Sequence, residues 1–90
     1  MTGEMHESEV TSEAYPIHFA IANEIGGTVR PFDQYQGPYI LSAKGHRLWL
    51  CMEDNGPIAT VYNERTDSKS DPFHLEDTEA ATNAALSVTR

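Results

Sequence analysis

The most constraining stretch of this chain is residues 46–62, where two alternating apolar runs flank a four-residue turn. His46-Arg47-Leu48-Trp49-Leu50-Cys51-Met52-Glu53 alternates with Leu48, Leu50 and Met52 on one side and Arg47, Trp49, Cys51 and Glu53 on the other. A period of two is the signature of a strand with two different faces. Asp54-Asn55-Gly56-Pro57 follows, and Asn and Gly accept the positive φ that a tight turn between twisted strands requires. Ile58–Tyr62 is then the return strand. Upstream, Tyr39–Ala43 reads as a strand and Lys44-Gly45 as a tight turn, so three neighbouring strands form an antiparallel meander. Thr28–Phe32 is a fourth, short β-like segment that Pro31 confines to a sheet edge or an irregular strand. Asp33–Pro38 reads as a loop.

Two helices bracket the strands. Ile17, Ala20, Ile21 and Ile25 recur at helical spacing after Pro16, which suits a first turn, and Gly26-Gly27 stops the run. This predicts a helix over about 14–25. Near the other end, Ala81, Ala84, Ala85 and Val88 form a stripe of small residues that lets a helix over about 78–88 lie close to a sheet, with Asp77 as its N-cap. Glu64–Pro72 reads as a polar loop, and Phe73 and Leu75 as its anchors to the core. The expected fold is α+β: a three- to four-stranded antiparallel meander with the N-terminal and C-terminal helices packed on its Leu48 face. Trp49 then points away from the helices. Ninety residues supply one modest core and no second domain. Residues 1–12 are acidic and poor in large apolar groups, and read as a flexible arm preceding a single domain over 13–90.

Charge narrows the partners. Fourteen acidic residues against six basic ones give a net charge of −8, unfavourable to nucleic-acid phosphates and anionic lipids and favourable to a basic surface. The excess is concentrated in two places. Residues 1–15 carry Glu4, Glu7, Glu9 and Glu13 without a cation, a sum of −4. Residues 64–79 carry Glu64, Asp67, Asp71, Glu76, Asp77 and Glu79 against Arg65 and Lys69, again −4. The apolar middle, 16–63, sums to only −1. Solubility alone is the competing reading of such a composition.

Catalytic and ligand-binding motifs are sparse. His6, His18, His46 and His74 stand at wide spacings, and Cys51 is the lone cysteine, so no zinc pattern is present and no internal disulfide is available. Asp67-Ser68-Lys69-Ser70-Asp71 lacks the later ligands of a calcium loop. Ser42 and Ser70 lack the strained nucleophile turn. Gly26-Gly27 follows a helix, whereas a phosphate cradle follows a strand. No cofactor is expected, and the chain reads as a non-enzyme. A small enzyme built on Cys51 with His46 or His74 is the competing reading, and an assembly subunit acting through a sheet edge or the Trp49 face is another. No apolar stretch approaches the roughly 20 residues of a membrane span, no secretory pattern is read at the N-terminus, and the unpaired thiol suits a reducing cytoplasm.

The expected partner surface combines the carboxylates Glu7, Glu9, Glu13, Asp67, Asp71, Glu76, Asp77 and Glu79 with the aromatic anchors Tyr35 and Trp49. In size and charge the whole chain resembles the small acidic phage-encoded anti-defence proteins, notably the anti-CRISPR proteins. The features concerned are the leader Glu4–Glu13, the helix ending Ile25-Gly26-Gly27 and the hairpin at Asp54-Asn55-Gly56. The resemblance implies an inhibitor in the bacterial host cytoplasm that blocks a basic, nucleic-acid-binding surface of a nuclease or RNA-guided complex. Those inhibitors share no single fold, so it assigns no residue roles.

Overall fold

The computed structural model describes residues 5–53 and 56–89. The turn residues Asp54 and Asn55, the leader residue Glu4 and the terminal Arg90 lie outside them. The main elements are helix α1 (Pro16–Ile25), strands β1 (Thr28–Asp33), β2 (Gly37–Leu41), β3 (Arg47–Glu53) and β4 (Ile58–Asn63), the two-residue strands β5 (Ser68–Lys69) and β6 (Phe73–His74), and helix α2 (Thr78–Thr89). The sheet is antiparallel in the order β1-β2-β3-β4-β5, with β6 also paired to β4. The α+β meander between two helices is therefore the fold. Among the described residues, no helix is long and apolar enough to cross a membrane.

Helix α1 ends as its glycines dictate. Gly26 adopts φ 73°, and Gly27 N–H reaches back to Ala22 C=O at 2.8 Å, the six-to-one bond of a Schellman closure. Pro31 sits within the edge strand β1, where the register against β2 shifts between Arg30 and Asp33. A residue without an N–H is tolerated at such a place.

The polar segment 64–72 departs from the expected loop. Ser68 and Lys69 form β5 against Asn63 and Tyr62. Ser70 exchanges two bonds with Val61: its N–H donates to Val61 C=O and its Oγ accepts from Val61 N–H, both at 2.8 Å. Tyr62 Oη donates to Asp67 at 2.7 Å across the same turn. Short polar side chains thus fasten a hydrophilic segment to β4, an outcome that hydrophobic periodicity cannot signal. The loop expected over 33–38 is likewise shorter: Asp33 Oδ1 accepts from Tyr35 N–H and Gln36 N–H at 2.9 and 2.7 Å, and pairing resumes at Gly37.

The core lies between the helices and one sheet face. Ile21 and Ala22 of α1, Ala81, Ala85 and Val88 of α2, and Ile40, Leu48, Ala59, Val61 and Phe73 of the strands are buried together. Both helices occupy the Leu48 face, as the alternation predicts. Asp77 Oδ1 accepts from Ala80 N–H at 3.0 Å, the N-cap of α2. At the other end of α2, the fully buried Asn63 donates from Nδ2 to Val88 C=O at 2.7 Å and lies 2.9 Å from His46 Nδ1. An amide nitrogen has hydrogens to donate and no lone pair to offer, so Nδ1 of His46 accepts and the ring carries its proton on Nε2. At the N-terminus, Met5 is buried and its N–H bonds Phe32 C=O at 3.3 Å, laying the described part of the acidic arm against β1.

Candidate functional site

The face of the sheet opposite the helices is aromatic. Cross-strand pairing sets Trp49 opposite Tyr62 and Cys51 opposite Thr60. Phe32 stands edge-on to Trp49 at 5.0 Å between ring centroids, and Tyr39 tilts against Trp49 at 5.3 Å. The Arg47 guanidinium covers the Tyr39 ring at 5.0 Å, and its Nε lies 4.0 Å from Glu64. Such edge and cation contacts fix ring orientation as well as burying area. Trp49 is held half-buried within this cluster, so it is a supported anchor with one surface open.

Beside these rings a cleft of about 990 Å³ opens between the start of α1, the β1–β2 turn and the second half of β3. Tyr15, His18, Phe32, Trp49, Met52 and Tyr62 are among its walls, and among the described residues Glu64 is its single acidic lining residue. Tyr35, at the turn, is 89% exposed and Met52 57%, so the cleft presents large side chains to solvent. His18 stands edge-on to Tyr15 at 5.4 Å, and burial lowers its pKa to about 4. It is therefore neutral near pH 7, and the described lining of the cleft includes no Lys or Arg.

At the β4–β5 edge the ionisable groups pair off. Lys69 Nζ lies 3.0 Å from Glu53 Oε1, and this hydrogen bond, with the accompanying charge attraction, lowers the Glu53 pKa and raises that of Lys69. The hydrogen bond to Asp67 raises the Tyr62 hydroxyl pKa above its ordinary value.

The residues expected to bind a partner fall into separate groups. Tyr35 and Trp49 meet at the cleft. Glu7 lies 3.8 Å from Arg30 on β1, and Glu9 accepts from His6 N–H at 3.2 Å, both at the β1 edge. Glu13 is exposed in the turn before α1. Asp67 and Asp71 flank β5 at the opposite edge of the sheet, and Glu76, Asp77 and Glu79 surround the start of α2. The carboxylates thus fall at the two edges of the sheet and the start of α2, apart from the aromatic pair at the cleft.

Tyr39, an alternative anchor in the sequence reading, joins the cluster beside Trp49, whereas Phe32 and Met52 escaped sequence reasoning. Phe32 shares the parity of Arg30, which is paired with Tyr39, so alternation along β1 sets it on the Trp49 face once the β1–β2 register is known. Cys51 lines the cleft, whereas His46 is engaged with Asn63 on the helix side of the sheet. The histidine that shares the cleft with Cys51 is His18. Among the described residues, no group of three or more His, Cys, Asp and Glu is placed to hold a metal ion. Compared with protein-family models, curated proteins and solved structures, the chain matches none.

Proposed function

We propose that this protein acts as a binding inhibitor, anchoring a partner protein in the aromatic cleft while its carboxylates select for a basic surface. The observation that carries this reading is the cleft itself: large apolar side chains stand exposed around an opening whose described lining includes no Lys or Arg, on a molecule of net charge −8. Apolar anchors in a concave site supply affinity, and a surrounding field of one sign supplies steering and partner choice. The resemblance to anti-CRISPR proteins points the same way, toward a nucleic-acid-binding complex of a bacterial host as the target. Carboxylates at the sheet edges and the start of α2 would take positions otherwise filled by phosphates, and the bulk of the domain would exclude the nucleic acid. The reading assigns no chemical step to any residue.

The test is capture of bacterial lysate proteins on the immobilised protein, first at about 0.01 M salt and then at about 1 M, where the screening length falls from about 30 Å to about 3 Å. The expected result is a nucleic-acid-binding partner held at low salt, released at high salt, and weakened about tenfold by Trp49→Ala. Partners that are acidic, or capture indifferent to both salt and Trp49→Ala, would remove the basis of the proposal.

A further inference from the structure

Strand β3 is longer than its pairing with β2. The two are bridged at Leu41↔Arg47 and Ile40↔Leu48, while β3 runs on to Glu53 in register with β4. Backbone direction along β3 is set by two bonds at its start: Glu64 N–H donates to Arg47 C=O on the β4 side, and Ser42 N–H donates to His46 C=O on the β2 side. In an antiparallel strand, alternate residues turn both N–H and C=O to the same neighbour. Trp49, Cys51 and Glu53 therefore address β4, and Leu50 and Met52 turn their backbone groups toward the cleft, where no described strand is paired with them. Continuing the Ile40↔Leu48 register would place Pro38 opposite Leu50. Proline has no N–H to donate to Leu50 C=O, so that position loses one of its two ladder bonds, and the pairing ends before it.

From this we propose that the cleft receives an extended, Lys/Arg-flanked segment of a protein partner, added as a strand to the free edge of β3 at Leu50 and Met52. The inference rests on the reading of this protein as a binder of basic partners, and it names the manner of binding. Strand addition takes affinity from main-chain bonds and specificity from alternate side chains. Both side-chain positions are provided for, since Trp49 and Cys51 line the cleft from one sheet face and Leu50 and Met52 from the other. The occupant's flanks follow from charge: the whole sequence carries −8, and among the described residues Glu64 is the charged residue of the lining. The same charge disfavours a second copy of this chain as the occupant, because two such molecules repel.

The experiment selects ten-residue random peptides displayed on phage against the intact protein, then titrates the best binder as a synthetic peptide. Fluorescence of Trp49, the one tryptophan, reports occupancy, and amide hydrogen exchange reports the edge. The expected binder alternates apolar residues between basic flanks and slows exchange at the Leu50 and Met52 amides at least tenfold. It loses tenfold or more in affinity when alternate peptide nitrogens facing β3 are methylated. No selected binder, unchanged exchange at those two amides, or indifference to methylation would each overturn strand addition. A salt-sensitive, Trp49-dependent partner from lysate would survive any of these results, so the two proposals fail separately. An acidic selected peptide that does protect both amides would overturn the basic flanks alone.

Discussion

His18 illustrates how one side chain records its surroundings. A histidine buried against Tyr15 and the cleft wall is held neutral, its pKa lowered to about 4 from an ordinary 6.5. Because the unfolded chain takes up this proton near pH 6.5 and the folded one does not, the contribution is fully present above 6.5 and is lost as pH falls toward 4. A shift of this size corresponds to at most about 3 kcal/mol, less in practice because the ring keeps some contact with water. Urea midpoints measured from pH 7 to pH 4 should fall in that window, and His18→Phe should flatten the decline. An unchanged slope in the variant would assign the decline to other groups. Asn63 is a second case. Its position at the end of an apolar strand reads as a strand terminus, yet its amide holds both His46 and the last turn of α2.

At the scale of elements, the joint between α1 and β1 is the most sharply specified. Gly26 requires its left-handed φ, but nothing lies within 4 Å of an added Cβ. Gly27 has the opposite constraint, since a Cβ there would stand 2.6 Å from Leu41 O and 3.3 Å from Ser42 Cα, both backbone atoms of the neighbouring strand region. Gly26→Ala should therefore cost about 1 kcal/mol from φ strain, and Gly27→Ala about 2–3 kcal/mol because β2 must move. Denaturant titration of both variants checks the order, and equal losses would contradict it. The Gly-Gly pair was readable as a helix stop, but which glycine was there for conformation and which for closeness depended on where β2 lies. The same holds for β5. Its two residues owe their pairing to Ser70 and Asp67 bonds that no pattern of hydropathy encodes.

For the molecule as a whole, one small core supports everything. Leu48 is fully buried in the core cluster that holds residues of both helices and the strands. Leu48→Ala should cost about 2–5 kcal/mol, a large share of the roughly 5–10 kcal/mol expected for a domain of this size. Thermal unfolding followed by circular dichroism should show a drop of ten degrees or more, and a drop of only a degree or two would mean that the core collapses around the missing atoms. Charge is distributed differently. The acidic groups that cluster in sequence are separated to opposite edges of the sheet, with Glu7, Glu53 and Glu64 each near a cation. The cleft, in contrast, gathers residues from α1, β1, the β1–β2 turn, β3 and β4.

The amino-acid order by itself determined the two helices, the meander and the side of the sheet they share, because these follow from short-range periodicity, capping residues and turn chemistry. It also placed Trp49 on the face opposite the core, since alternation along a strand leaves no choice. Only the tertiary structure decided that Phe32, Tyr35, His18 and Met52 share the cleft with Trp49, and that β2 parts from β3 after Leu48 while β4 stays paired to Glu53. Those outcomes depend on the divergence of two strands and the seating of a helix across them. They are long-range packing events that local spacing along the chain does not carry.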